Sequence, residues 1–170
     1  MWNDTDTPLA YFISFRTYGT WLHGDNRGSI DRFHNRYQAP YLPPNDNWHN
    51  YNRQRLKTKP VILAARHRRS VEAAIRQTCG IRRWLLQAVH VRTNHVHVVV
   101  SASHRKPELV LNAFKANATR QMREDGVWPY PFSPWADKGS NRLLWNERSI
   151  ARAIEYVLNG QGHELPSFDN

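Results

Sequence analysis

His95-Val96-His97 sits inside the run 91–100, which closes on three valines. Side chains alternate along a strand, so His95 and His97 leave one face while Val96, Val98 and Val100 leave the other, where a core takes them. Two neighbouring imidazoles, neutral near pH 7, make half of a divalent-metal site. The same spacing also describes a polar strand face with two hydrogen-bonded histidines. Two imidazoles are too few ligands by themselves, so other elements must complete any site. Asn117 and Gln121 offer carboxamides one helical turn apart. They lie on a partly apolar face, where such groups need partners.

The elements that would hold these residues follow from periodicity. Residues 11–16, aromatic and β-branched, read as a first strand. Val71, Ala74, Ile75 and Cys79 recur at helical spacing, giving an amphipathic helix over about 67–80, with Gly80 as its left-handed cap. Residues 84–91 and 95–101 form strands joined by a turn at Arg92-Thr93-Asn94, hence an antiparallel hairpin. Pro107 and Glu108 open a helix to about Arg123, with Val110, Phe114 and Ala118 as one stripe and Leu109, Ala113, Asn117 and Gln121 as the next. Asn146 caps a final helix with Ile150, Ile154, Val157 and Leu158 as its apolar face, and Gly160 follows its end. This order predicts a single α+β domain, a ferredoxin-like sandwich with helices on one face of an antiparallel sheet.

Between these elements lie two irregular stretches. One, about 22–60, has neither helical nor strand period and interleaves Arg27, Arg32, Arg36, Arg53 and Arg55 with Phe33, Tyr37, Tyr41, Trp48 and Tyr51. The other, 125–145, sets Trp128, Tyr130, Phe132 and Trp135 among prolines. The chain of 170 residues carries 24 Lys+Arg against 14 Asp+Glu, a formal net charge of +10. That excess favours a polyanionic partner, nucleic acid before membrane, and aromatics mixed with cations suit unstacked bases. No apolar run approaches the roughly 20 residues that span a bilayer, and no signal-peptide pattern opens the chain, so a cytoplasmic location is expected. A single cysteine, Cys79, excludes an intrachain disulfide and a thiolate-rich zinc site. A zinc site built on His95 and His97 also lacks a carboxylate placed by spacing.

The strand 93–99, the helix segment 114–121, the closing segments Leu144-Trp145-Asn146-Glu147 and Tyr156-Val157-Leu158-Asn159, and the opening 15–22 together resemble the single-tyrosine transposases of the HUH class. Their REP-associated branch is the most similar. The resemblance spans most of the chain outside about 24–59. It implies a divalent metal, Mg²⁺ or Mn²⁺, held by His95, His97 and a polar helix residue matched here by Gln121. It implies too a tyrosine that attacks single-stranded or hairpin DNA, leaving a 5′-phosphotyrosine and a free 3′-hydroxyl. In this matching the nucleophile position is Asn117, which cannot form that link. Tyr156 is matched to a structural helix position, and Tyr130 falls in the Pro-rich loop. Arg16, Tyr18, Arg92, Asn94, Lys115, Arg120 and Arg123 flank the expected site as candidate DNA contacts.

Two functions follow. One is a metal-dependent single-strand endonuclease or strand-transfer protein, with water or a displaced tyrosine attacking. The other is a DNA-binding relative without catalysis; under either, the chain is expected as a monomer or a homodimer.

Overall fold

Alternation along the strands decides the architecture. A computed structural model describes residues 7–20, 46–54 and 59–160. Its elements run β1 (Ala10–Arg16), α1 (Asp46–Gln54), α2 (Ala65–Arg82), β2 (Leu85–Val91), β3 (His95–Ser101), α3 (Pro107–Glu124), β4 (Ser140–Leu144) and α4 (Glu147–Asn159). The strands form one antiparallel sheet in the order β2-β3-β1-β4, the split βαβ arrangement expected of a ferredoxin-like fold.

One face of that sheet sends Tyr11, Ile13 and Phe15 of β1 and Val96, Val98 and Val100 of β3 into the main core. There they meet Val71, Ala74 and Ile75 of α2 and Val110, Phe114, Ala118 and Met122 of α3. The opposite face carries Ala10, Phe12, Ala88, Val99 and Leu144 against Ala153, Tyr156 and Val157 of α4. Helices on one face therefore holds for α2 and α3, whereas α4 covers the other.

A register shift between Leu86 and Ala88 sets the phase of β2. With Gln87 as the extra residue, Val89 and Val91 face the main core and His90 stands opposite His97.

Several boundaries differ from the sequence expectation. α2 continues past Gly80, and its left-handed cap is Arg83, at φ 57 and ψ 38. The Arg82 guanidinium lies 5.2 Å from the centroid of Trp84, covering the junction into β2. β4 arises within the stretch read as irregular. It is a five-residue edge strand, and its polar start hides its pairing with β1. Most of 22–60 lies outside the described residues, but α1 forms within it. It has Asp46 in the first turn and Arg53 in the last, charges that suit a helix dipole without an apolar stripe. Among the described residues no helix is long and apolar enough to cross a membrane.

Candidate active site

His95 and His97 share a face, as the alternation requires, but that face is roofed by α4. Their ring centroids are 4.7 Å apart. His97 is 4% exposed, stacks on Phe12 at 5.3 Å and meets the Tyr156 ring edge-on at 5.6 Å. Tyr156 reaches the histidine because α4 buries Ser149, Ala153, Tyr156 and Val157, a helical repeat rotated from the expected stripe. Leu158, assigned to that stripe, is exposed. Asn146 starts the helix, its Oδ1 accepting the Ser149 N–H at 2.8 Å. On β2, His90 Nδ1 donates to the Val157 carbonyl at 3.2 Å and ties the last turn of α4 to the sheet.

Both imidazoles are oriented by oxygen atoms. His95 Nδ1 donates to Asn94 Oδ1 at 2.7 Å, which fixes the ring's orientation and turns Nε2 away from Asn94. His97 Nδ1 and Ser14 Oγ are 2.5 Å apart, Ser14 being the cross-strand partner of His97. Such outer contacts are those that ligating histidines make. Burial, followed by the charges of His95, His90 and Arg92, pushes the His97 pKa down to about 3, so the ring is neutral. These donors fit two positions of a divalent ion whose other positions take water and phosphate oxygens. No group of three His, Cys, Asp or Glu side chains placed to hold a metal occurs among the described residues.

Positive charge surrounds the pair. Arg16 is the cross-strand partner of His95 and leaves the sheet on the histidine face. Its Nε is buried with no hydrogen-bond partner among the described residues, and burial lowers its pKa. Arg142 stands opposite Phe12 on β4, on the same face. Burial raises the Tyr156 phenol pKa, while Arg142 and Arg92 pull it back down. A desolvated phenol, the neutral His97 imidazole and three guanidinium groups can receive a phosphodiester and stabilise charge on it.

The residues assigned from α3 do not join this site. α3 packs on the opposite sheet face, with α2. Asn117 Nδ2 donates to Thr78 Oγ1 of α2 at 3.0 Å, and Gln121 Nε2 donates to Asp125 Oδ1 at 2.9 Å. Asp125 Oδ2 in turn accepts from Ser70 Oγ at 2.6 Å. The two carboxamides thus belong to polar contacts beside the α2–α3 interface, in place of the ligand and nucleophile positions expected of them.

Three cations of α3 are likewise displaced from the histidine face. Lys115 Nζ donates to the carbonyls of Ala136 and Lys138, holding the loop before β4. Arg120 lies 3.8 Å from Glu124 on an exposed surface, and Arg123 donates to the carbonyls of Tyr130 and Pro131. Of the other candidates, Arg92 and Asn94 lie in the β2–β3 turn beside the histidines. Tyr18 follows β1, its N–H donating to Pro134 and its carbonyl accepting from Val61. Sequence reasoning missed Ser14, His90, Arg142 and the site role of Tyr156. The 149/153/156 repeat was the available signal for Tyr156.

No family model matches the chain, and no curated protein does. Solved structures do. A REP-associated tyrosine transposase bound to a REP hairpin superposes with a TM-score of 0.52 at 9% identity, covering 92% of this chain and 68% of that one. A protein of Deinococcus radiodurans R1 assigned as a transposase gives 0.51 at 13% identity, covering 94% and 95%. At these identities the likeness is one of fold.

Proposed function

We propose that this chain is a transposase-like protein that binds single-stranded or hairpin DNA and cleaves it with Tyr156 as nucleophile. The observation that carries the reading is Tyr156 packed against His97, on the face that also presents His95, Arg16 and Arg142. The solved relative bound to a REP hairpin supports DNA as the partner.

Tyr156 Oη attacks the scissile phosphorus, the Oη–P bond forms and the P–O3′ bond breaks. The product is a 5′-phosphotyrosine and a free 3′-hydroxyl, which retains the phosphodiester for rejoining. Arg92 and Arg142 ease loss of the phenolic proton, which passes to solvent while the departing 3′ oxygen takes one up from it, and Arg16 receives the phosphate. His95 and His97 would hold Mg²⁺ or Mn²⁺, which when bound polarises the phosphate. Ser14 and Asn94 fix the ring orientations, and His90 is a positioning residue for the last turn of α4.

The test is adduct formation on 5′- and 3′-end-labelled hairpin DNA with Mn²⁺. Wild type and Asn117→Ala should form a covalent complex, Tyr156→Phe none, and His97→Ala little or none. An adduct that persists in Tyr156→Phe overturns the assignment. The incomplete donor set favours a second reading, a binder without catalysis. It predicts no cleavage by any variant and affinity that survives chelation.

A further inference from the structure

Away from α4, a cavity of about 580 Å³ opens between the start of α2 and the segment after α3. Its lining includes Lys59, Arg66, Val127, Trp128, Tyr130 and Phe132. The rings form a built cluster. Trp128 is 5% exposed and meets Tyr130 and Phe132 edge-on at 4.9 and 5.6 Å. Tyr130 and Phe132 are stacked, 5.4 Å apart and 19° from parallel, and are 50% and 37% exposed.

The backbone beneath them is tied down. Trp128 Nε1 donates to the Phe132 carbonyl at 2.9 Å, and Arg123 donates to the carbonyls of Tyr130 and Pro131. His67 Nε2 donates to the Val127 carbonyl at 3.0 Å, and Gly126 turns the chain at φ +72. Two aromatic rings are thus held partly exposed on a tied backbone, with Lys59 and Arg66 in the same lining and Arg123 bonded to the loop that carries them. Planar apolar surface ringed by cations is complementary to a nucleobase with its phosphates.

Position supports that occupant. Val61 bonds to Tyr18 and Leu63 to Thr93, so the cavity wall is stitched to the end of the sheet where His95 begins β3.

We propose that this cavity is a second nucleic-acid subsite, which takes an unpaired base of single-stranded DNA by stacking on Tyr130 and Phe132. The proposal rests on the DNA-binding reading and is independent of Tyr156 chemistry. Affinity is measured by fluorescence anisotropy in chelator, with a labelled oligothymidylate and with a duplex of equal length, on the full chain.

Tyr130→Ala with Phe132→Ala should weaken the single strand by about 5- to 150-fold, the worth of one lost base stack, and leave the duplex unchanged. Tyr130→Phe, which keeps the ring, should bind as wild type. Photocrosslinking of bromouridine-substituted strands should label the tryptic peptide 124–138. Unchanged single-strand affinity in the double variant, the result expected if the groove serves a proline-rich segment instead, overturns the subsite. Equal loss on duplex, or crosslinks confined to other peptides, does so as well. Wild type that binds strands normally while the double variant does too leaves the DNA-binding reading standing, whereas wild type without single-strand affinity overturns both.

Discussion

His97 is the residue through which packing, charge and chemistry meet. Its unfolded pKa is near 6.5 and its folded pKa about 3, with burial as the chief cause. Below about pH 6.5 the unfolded chain binds a proton that the folded chain refuses. This group therefore lowers stability as pH falls through that window and has no effect above it. His97→Gln should flatten the acid limb of a stability–pH curve measured by denaturant titration between pH 6.5 and 5. A slope identical to wild type would mean that the ring protonates in place. Asn117→Ala carries the opposite expectation for chemistry. It removes a bond to the buried Thr78 hydroxyl, costs about 1 kcal/mol of stability and leaves adduct formation intact.

At the scale of elements, α4 and β4 set the histidine site, and each rests on one small feature. Asn146 satisfies the first turn of α4 through both the N–H and the hydroxyl of Ser149. Asn146→Ala should destabilise by about 0.5–2 kcal/mol in denaturant titration and should slow cleavage, because Tyr156 rides on that helix. Gly139 precedes β4 where a Cβ would stand 2.6 Å from the Ser14 carbonyl and 3.0 Å from Leu111. Gly139→Ala must move backbone, so a loss of about 1–3 kcal/mol is expected, read as a lower Tm. Since Ser14 holds His97, the same variant should lose activity beyond its unfolded fraction.

For the whole molecule, charge supplies the expected behaviour toward DNA. With a net charge of +10, affinity for single strands should fall linearly on a log–log plot against salt, at about −0.7 per phosphate neutralised. Arg92→Ala should reduce that slope by about 0.7, whereas Arg120→Ala, whose charge lies beside Glu124 on the outer face of α3, should leave it unchanged. Equal slopes for wild type and Arg92→Ala in an anisotropy titration would remove Arg92 from the interface.

Much of the fold was legible because it follows from local rules. The 95/97 alternation, the hairpin at Arg92-Thr93-Asn94, the Val110/Phe114/Ala118 stripe and the Asn146 cap each depend on a few neighbouring residues. Period two and period 3.6 state which side chains leave an element together. They are silent on which element stands across from that face. Edge strand β4 escaped notice because its pairing is non-local, and α1 because it has no apolar stripe.

The sequence alone determined a basic α+β chain with two histidines on one strand face and valines on the other. Tertiary structure decided what meets the histidines. The β1–α2–β2 and β3–α3–β4 crossovers join parallel strands in one sheet, and such crossovers share one hand. Both helices therefore fall on the valine face, which carries Asn117 and Gln121 away from His97. The opposite face remains for α4, and with it Tyr156.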